Sequence, residues 1–108
     1  MILVYMTTSS EEEAKNLSKA VLEKRLASCA NIFQPHHSMY WWDDKIEETT
    51  EFVTIFKTRD ELFDPIKDFI VEHHSYDVPC VLSISMDVVS EEFGEWIAQE
   101  TQPLKKGT

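Results

Sequence analysis

One stretch, residues 38–58, constrains the fold of this chain more than any other. Two runs rich in aromatic and β-branched residues flank the polar connector Asp43-Asp44-Lys45, a pattern typical of a β-hairpin with a loop of three or four residues. At about 3.3 Å per residue, residues 46–58 can span on the order of 40 Å, about twice what the apolar run at residues 1–7 can pair with. A free ribbon of two strands is marginal in water, and this one exposes three aromatic residues at its tip, Tyr40, Trp41 and Trp42. We therefore expect the excess length to pair with another copy of the chain.

The size and charge of the chain limit the classes of function. With 108 residues and 43% hydrophobic content, we expect one domain over residues 1–108, with a polar, frayed tail from about residue 101. The formal net charge of −10 argues against nucleic acid as a partner, because phosphate binding needs clustered lysine and arginine. The negative charge attracts cations, although solubility alone also explains it.

The start of the chain and its cysteines indicate a compartment. The apolar segment Met1–Met6 has no preceding basic residues and is too short for a signal sequence or a membrane span. Cys29 and Cys80 are far apart and form neither a disulfide framework nor a zinc motif. We expect a cytoplasmic protein with no membrane association.

The first half of the chain predicts a strand, a helix and a second strand. Residues 1–7 are apolar on both alternating sets, as expected for a strand covered on both faces. Capping serines at positions 9 and 10 precede a helix that we expect to end near Ala27 or Ser28. The run 29–34 alternates as a strand, and Pro35 places it at a sheet edge. The segment 36–38 is expected to be irregular.

The second half predicts a helix over residues 59–74, a strand over 80–88 and a short helix capped at Ser90. Pro65 lies either in the first turns of the middle helix or at a start near Asp64. Four apolar residues of the last strand are expected to point inward, namely Leu82, Ile84, Met86 and Val88. The order βαββαβ, with one more helix, predicts an α+β ferredoxin-like two-layer sandwich with antiparallel strand order 4-1-3-2.

Six residues are candidate soft or borderline metal ligands: Cys29, Cys80, His36, His37, His73 and His74. None has the spacing of a metal motif, and adjacent histidines in extended chain point to opposite sides. The commoner roles are loop or surface histidines, a histidine pair at a helix C-terminus and small buried cysteines. Because the two cysteines begin strands on opposite edges of the predicted sheet, a joint site would have to cross a subunit boundary.

The hairpin is rich in acidic residues, and Glu47, Glu51 and Lys57 share one alternating face. This pattern fits a charged edge that discourages aggregation, or a cation or acid/base pocket where the face meets a neighbour. The sequence contains no hydrolase, zinc-protease or nucleotide-binding motif, and its two glycines make a phosphate-cradling loop improbable.

Several separated motifs together resemble the CutA divalent-cation tolerance proteins, and the likeness covers nearly the whole chain in order. The motifs are Leu26-Ala27-Ser28-Cys29-Ala30-Asn31-Ile32, Ser38-Met39-Tyr40-Trp41-Trp42-Asp43-Asp44-Lys45-Ile46-Glu47, Glu51-Phe52-Val53, Lys57-Thr58 and His74-Ser75-Tyr76-Asp77-Val78-Pro79. The resemblance implies a ferredoxin-like subunit in a homotrimer, related in architecture to the PII signalling proteins, with hairpins pairing between subunits. It also implies tolerance to copper and other divalent cations, copper binding in some members and no established catalysis.

The family pattern of an intersubunit cleft maps onto six residues of this chain: Cys29, Trp42, Glu51, Lys57, Tyr76 and Trp96. Two positions depart from that pattern, since Ser75 replaces a usual proline and Cys80 a usual glutamate. The second change removes a carboxylate and adds a soft ligand, so we expect Cys29 and Cys80 to favour Cu(I) over Mg(II) or Ca(II).

Three functions follow from the sequence and the resemblance. The first is a trimeric, non-enzymatic protein that binds or senses copper or another divalent cation and requires no cofactor. The second is an enzyme or signalling module acting on a small molecule in the cleft, with Glu51 or Tyr76 as proton carrier and Lys57 as anion anchor. The third is a scaffold for a partner protein.

Overall fold

The structure, a computed structural model, describes residues 1–103. Its strands are β1 (Ile2–Thr8), β2 (Cys29–Ile32), β3 (His36–Trp42), β4 (Lys45–Thr58) and β5 (Val81–Ser85). Its helices are α1 (Glu11–Glu23), α2 (Phe63–His73), which follows a 3-10 turn at Asp60–Leu62, and α3 (Glu91–Glu100). None of these helices combines the length and apolarity needed to cross a membrane.

The strands form an antiparallel sheet in the order β2-β4-β1-β5, with β3 paired to the outer part of β4. The four predicted strands correspond to β1, β2, β4 and β5, so the observed order is the predicted 4-1-3-2. This confirms the predicted ferredoxin-like α+β fold and its strand order. Residues 52–58 of β4 pair with β1, whereas residues 45–51 pair only with β3. The other edge of residues 45–51 therefore has no strand partner within residues 1–103, and the hairpin extends beyond the sheet.

The hairpin turn is shorter than the sequence predicts. Trp42 pairs directly with Lys45, which leaves a loop of two residues, and β3 begins at His36 where we expected irregular chain. Asp43 and Asp44 both have positive φ, at 51° and 59°, as in a type I′ turn. Aspartate tolerates this conformation better than most residues, which is why a two-residue loop forms without glycine.

Substitutions at Asp44 test whether its positive φ strains the backbone of the turn. Because the second central position of a type I′ turn favours glycine, we expect Asp44→Gly to increase the free energy of unfolding by about 1 kcal/mol. Asp44→Ala removes the same charge but keeps a Cβ, so it should produce no such gain. Urea unfolding midpoints of both variants measure the difference, and equal midpoints would show that the strain at Asp44 does not limit stability.

The core lies between the helices and one face of the sheet. Alternate residues of β1 and β4, including Val4, Met6 and Phe56, are fully buried against Ile66 and Ile70 of α2 and the apolar side of α1. This burial explains the helical spacing of apolar residues in α1 and α2. The opposite face of the sheet lacks α1 and α2, and it is called the face without helices for that reason. The Phe93 ring of α3 approaches it at Lys57, 5.7 Å from Nζ.

Helix α1 ends at Glu23, before the end predicted near Ala27 or Ser28. Arg25 adopts φ 60°, and the N–H of Leu26 donates to the carbonyl of Val21 while that of Arg25 donates to Leu22. These two bonds form a Schellman motif, in which Arg25 takes the position usually held by glycine. Leu26 is still buried, because the reversed chain returns it to the core. The prediction from apolar periodicity alone therefore placed the end of the helix too late in the sequence.

Helix α2 begins later than residue 59, after the 3-10 turn, and Pro65 lies in its first turn. Proline is tolerated there because the N–H groups of the first turn have no partner within the helix. The two placements considered for Pro65 therefore coincide, because α2 starts at Phe63, one residue before Asp64, and Pro65 lies in its first turn.

The predicted orientation of the last strand is wrong. Val81 pairs with Met6 and Ser83 with Val4, so these residues face the helices, since directly paired residues share a face. Leu82 and Ile84 pair with Tyr5 and Leu3 and therefore lie on the face without helices. Two further residues predicted to point inward, Met86 and Val88, follow the end of β5.

The tail is ordered beyond the predicted start of fraying. Thr101 is buried and accepts a hydrogen bond from Arg59, and the N–H of Gln102 donates to the carbonyl of Arg25 at 2.8 Å. Arg59 also donates to the carbonyl of Gln102. The prediction is therefore wrong for residues 101 and 102, and residues 104–108 lie outside the described part of the chain.

Candidate binding groove

A groove of about 710 Å³ lies between β3 of the hairpin, the end of β1 and the loop from α2 to β5. Its walls combine aromatic residues with histidine, acidic and small polar ones, and they include four of the predicted site residues. The aromatic residues are Tyr5, Tyr40, Trp41, Trp42 and Tyr76, and the titratable ones besides the tyrosines are His36, His37, Glu51, Asp77 and Cys80. The predicted members Trp42, Glu51, Tyr76 and Cys80 are therefore brought together within one protomer.

Glu51 is the buried acid of the groove. It lies on β4 opposite His36, is 7% exposed and accepts a hydrogen bond at Oε2 from the Tyr76 hydroxyl at 2.7 Å. A bond between a phenol and a carboxylate is charge-assisted and stronger than a neutral pair. Glu51 and Tyr76 therefore form a fixed polar pair beside the aromatic residues of the groove.

The neighbours of Glu51 are held in their neutral forms. Burial, followed by the hydrogen bond to Glu51 and its negative charge, raises the pKa of Tyr76 well above its usual range. Burial and the charge of Glu51 also raise the pKa of the Cys80 thiol, and burial is the main cause that raises the pKa of Tyr5. Of the two carboxylates that line the groove, Glu51 is thus the buried one, beside protonated phenol and thiol groups, and Asp77 is exposed.

His74 positions the loop that carries Tyr76. Its Nε2 lies 2.8 Å from the carbonyl of Thr7 and therefore donates, while its Nδ1 accepts the N–H of Tyr76 at 3.0 Å. These partners define a neutral ring with the proton on Nε2, so the 3.8 Å approach of Nδ1 to Glu13 is not an ion pair. His74 therefore has a structural role at the end of α2, in line with the commoner role considered for this histidine pair.

Ser75, which replaces the usual proline of the resembled family, has its own role in this loop. Its N–H and its hydroxyl both donate to the carboxylate of Glu13, at 2.8 and 2.9 Å. Proline could make neither bond, because it lacks both donors. The departure from the family pattern therefore ties the loop to the start of α1.

The other predicted site residues lie on the β2 side of the sheet and on α3. Cys29 pairs with Lys57, and Lys57 donates to Asn31 at 2.8 Å and lies 5.7 Å from the centre of the Phe93 ring. The Phe93 ring is 5.5 Å from that of Trp96. Cys29, Lys57 and Trp96 thus form a second group, which the structure does not bring to the groove within one protomer.

The remaining histidines do not form a metal centre. His73 is exposed, stacks on Phe69 at 4.3 Å and contacts its carbonyl, whereas His36 contacts Ser38. No group of three histidine, cysteine or acidic side chains that could hold a metal ion occurs within residues 1–103. A metal site built from one protomer is therefore limited to fewer than three such side chains.

Sequence reasoning missed Tyr5 and Tyr40 as groove residues. Tyr5 lies on an apolar strand, where it was assigned to packing, and Tyr40 was considered only as part of an exposed tip. The alternation of side chains along the hairpin could have identified Tyr40 as a groove residue, because Tyr40 and Trp42 occupy the same face as Glu51 in the β3–β4 register.

Comparison with known proteins identifies the family. The family model described as CutA1 divalent ion tolerance protein matches residues 2–100. The chain belongs to the CutA1 family. The divalent-cation tolerance protein CutA of Pyrococcus horikoshii is 42% identical over 102 residues, which cover 94% of this chain and 99% of the relative. The role shared by such relatives, as their names state it, is divalent-cation tolerance.

Solved structures agree with the fold, and the names of relatives differ in compartment. A CutA structure from Archaeoglobus fulgidus superimposes with a TM-score of 0.91 at 43% identity, covering 94% of this chain and 100% of that chain; that protein is named as periplasmic. A rice relative named as chloroplastic is 33% identical over 94% of this chain and 57% of its own length. CutA proteins thus occur under names that assign them to different compartments.

Proposed function

We propose that this CutA1 protein is a cytoplasmic homotrimer that confers tolerance to divalent cations by binding metal ions, copper above all, without catalysis. The observation that carries the proposal is the division of the cleft residues into two groups. Glu51, Tyr76 and Cys80 line the groove, whereas Cys29 and Lys57 pair with each other across β2 and β4 and are not among its lining residues. Only a second copy can bring the two groups together.

Two surface features support assembly. The face of the sheet without helices exposes apolar side chains, including Leu82 at 43% and Ile84 at 45%. The outer part of β4 has a free backbone edge within the described residues, and such an edge readily accepts a strand from another chain. Closed symmetry would bury the apolar face and pair the free strand edge in every copy.

The chemistry of the two cysteines favours copper as the bound metal. Both are free and half-buried, and thiolate ligands select Cu(I) over hard cations such as Mg(II). The net charge of −10 also raises the local concentration of cations. Free thiols agree with a reducing compartment, which supports the cytoplasmic assignment.

Copper binding should depend on the two thiols and on pH. We expect the double variant Cys29→Ser/Cys80→Ser to bind Cu(I) about a hundredfold more weakly than the wild type under reducing conditions, because serine offers no soft ligand. Since a thiol must lose its proton to bind metal, the raised pKa of Cys80 predicts that Cu(I) affinity increases with pH, by up to about tenfold per pH unit. Competition with a Cu(I) chelator between pH 6 and 9 measures both effects.

The two single variants, Cys29→Ser and Cys80→Ser, serve as controls for this titration. If one site spans two subunits, either change alone should cause most of the loss. Unchanged Cu(I) affinity in the double variant would contradict copper binding through the thiols.

An enzyme or signalling module acting in the cleft is the second candidate, and the fixed Glu51–Tyr76 pair favours a small-molecule site. The raised pKa of Tyr76 counts against this phenol as a proton carrier at neutral pH, because the best catalytic groups titrate near the working pH. A thermal-shift screen of metabolites, followed by analysis for their conversion, distinguishes turnover from binding.

A further inference from the structure

His74 is a buried histidine whose two ring nitrogens both form hydrogen bonds. Its side chain is 0% exposed within the protomer, so a second copy of the chain does not reach the ring. Nε2 donates to the carbonyl of Thr7 at 2.8 Å, and Nδ1 accepts the N–H of Tyr76 at 3.0 Å. Both nitrogens are therefore occupied, and neither is free to bind a metal ion. The two bonds together require a neutral ring with its proton on Nε2.

A carboxylate is held beside the accepting nitrogen of this ring. Oε2 of Glu13, on α1, lies 3.8 Å from Nδ1 of His74. The N–H and the hydroxyl of Ser75 fix this carboxylate from the loop, at 2.8 and 2.9 Å. Each carboxylate oxygen has room to accept a further hydrogen bond. Glu13 is thus placed to receive a donor at Nδ1, which the neutral ring does not offer.

The other groups around the ring carry no competing charge. Glu13 is the only carboxylate within salt-bridge distance of a His74 nitrogen in residues 1–103. From β1 the ring meets an uncharged carbonyl, and from the loop it meets the Tyr76 phenol, with ring centroids 4.7 Å apart. The carboxylate of Glu51, on β4, binds the hydroxyl of Tyr76 and not the imidazole. The remaining ionisable residues of this segment are exposed, namely His73 and Asp77.

We infer that protonation of His74 below neutral pH switches its ring from Tyr76 to Glu13 and so releases the fixed Glu51–Tyr76 pair of the groove. A second proton on the ring goes to Nδ1, which then donates to Glu13 and no longer accepts the N–H of Tyr76. The loop loses the bond that holds its Tyr76 amide, and the hydroxyl of Tyr76 is no longer fixed at Glu51.

The direction of the switch follows from proton linkage. The released form carries one more proton than the held form, so it becomes populated as the pH falls and disappears as the pH rises. Histidine suits this role because its charge ordinarily changes between about pH 5 and 8. Every contact involved lies within one protomer, and the switch goes beyond the proposed copper function without depending on it.

Nuclear magnetic resonance of the full chain labelled with ¹⁵N follows the ring and the loop in one titration from pH 8 to pH 5, with a metal chelator present. At pH 8 we expect the ring nitrogens of His74 to report the neutral form with its proton on Nε2. As the pH falls, Nδ1 should take up a proton, and the amide proton of Tyr76 should shift upfield with the same midpoint because it loses its hydrogen bond. A ring that stays neutral at pH 5 would overturn the inference, and so would a protonated ring with an unshifted Tyr76 amide.

Two variants separate this switch from other titrations. Glu13→Gln removes the charge that receives the protonated ring, so the shift of the Tyr76 amide should move to lower pH. His73→Gln removes the exposed neighbouring imidazole and should leave the midpoint unchanged. An unchanged midpoint in Glu13→Gln, or loss of the transition in His73→Gln, would contradict the exchange between Tyr76 and Glu13. If Glu13→Gln does not fold, the ring and amide resonances of the wild type decide the question by themselves.

Discussion

Phe56→Ala is expected to reduce the free energy of unfolding by about 3–5 kcal/mol. Phe56 lies at the centre of β4, is fully buried and pairs with Val4 on one side and Ala30 on the other. Its removal leaves a cavity that the surrounding strands and helices cannot fill by relaxation. For a domain with a total stability of about 5–15 kcal/mol, this is a large fraction. Urea unfolding at a fixed protein concentration should show a lower midpoint with an unchanged slope.

Val88→Ala provides the control for this measurement. This substitution also removes apolar atoms, but Val88 is 87% exposed. We therefore expect the free energy of unfolding to change by less than about 0.5 kcal/mol. A loss below about 1 kcal/mol in Phe56→Ala would mean that the sheet and helices pack around Phe56 less closely than the structure describes.

The fold could be predicted from the sequence because the patterns of successive elements agreed with one another. Alternation in the strands, helical spacing in residues 11–23 and 63–73 and the aromatic hairpin all favoured one topology. The precise ends of these elements depend on local backbone conformations. Arg25 and Asp44 adopt positive φ without being glycine; arginine gives no sign of this in the sequence, and aspartate tolerates positive φ without requiring it. The end of α1 and the length of the hairpin loop were mispredicted for that reason.

The orientation of β5 could not be read from the sequence, because the more apolar of its two alternating sets faces away from α1 and α2. Leu82 and Ile84 were assigned to the core as the more hydrophobic set. The structure places Val81 there, since its register with Met6 fixes the helix face. Hydrophobicity identifies which residues avoid water, but it does not distinguish a protomer's own core from a surface that another molecule covers.

The groove was predictable in part. The resemblance named Trp42, Glu51 and Tyr76, and the structure brings them together. The role of His74 depends on a contact with Thr7, 67 positions away in sequence, and no local pattern reports such a contact. Cys29, Lys57 and Trp96 were named with the others, but within one protomer the structure leaves them outside the groove.

Leu82→Glu is expected to dissociate the proposed trimer into monomers of 12.6 kDa at micromolar concentration. Leu82 lies on the face of the sheet without helices, beside Tyr5, and is 43% exposed. If this face is buried between copies, each glutamate would lose its water without gaining a partner, at a cost of several kcal/mol. A closed trimer contains the substitution three times, so the cost to assembly is repeated. Multi-angle light scattering measures the mass directly.

Val71→Glu introduces the same charge at another exposed position, on α2, where Val71 is 52% exposed. Because α2 covers the opposite face of the sheet, this variant should keep the mass of the wild type. Both variants should retain the circular dichroism of the wild type, since neither side chain belongs to the buried core. If Leu82→Glu remained trimeric, the apolar face of the sheet would not be the surface that joins the copies. A monomeric wild type would exclude a cleft shared between subunits, because Cys29 and Lys57 would then have no route to Glu51.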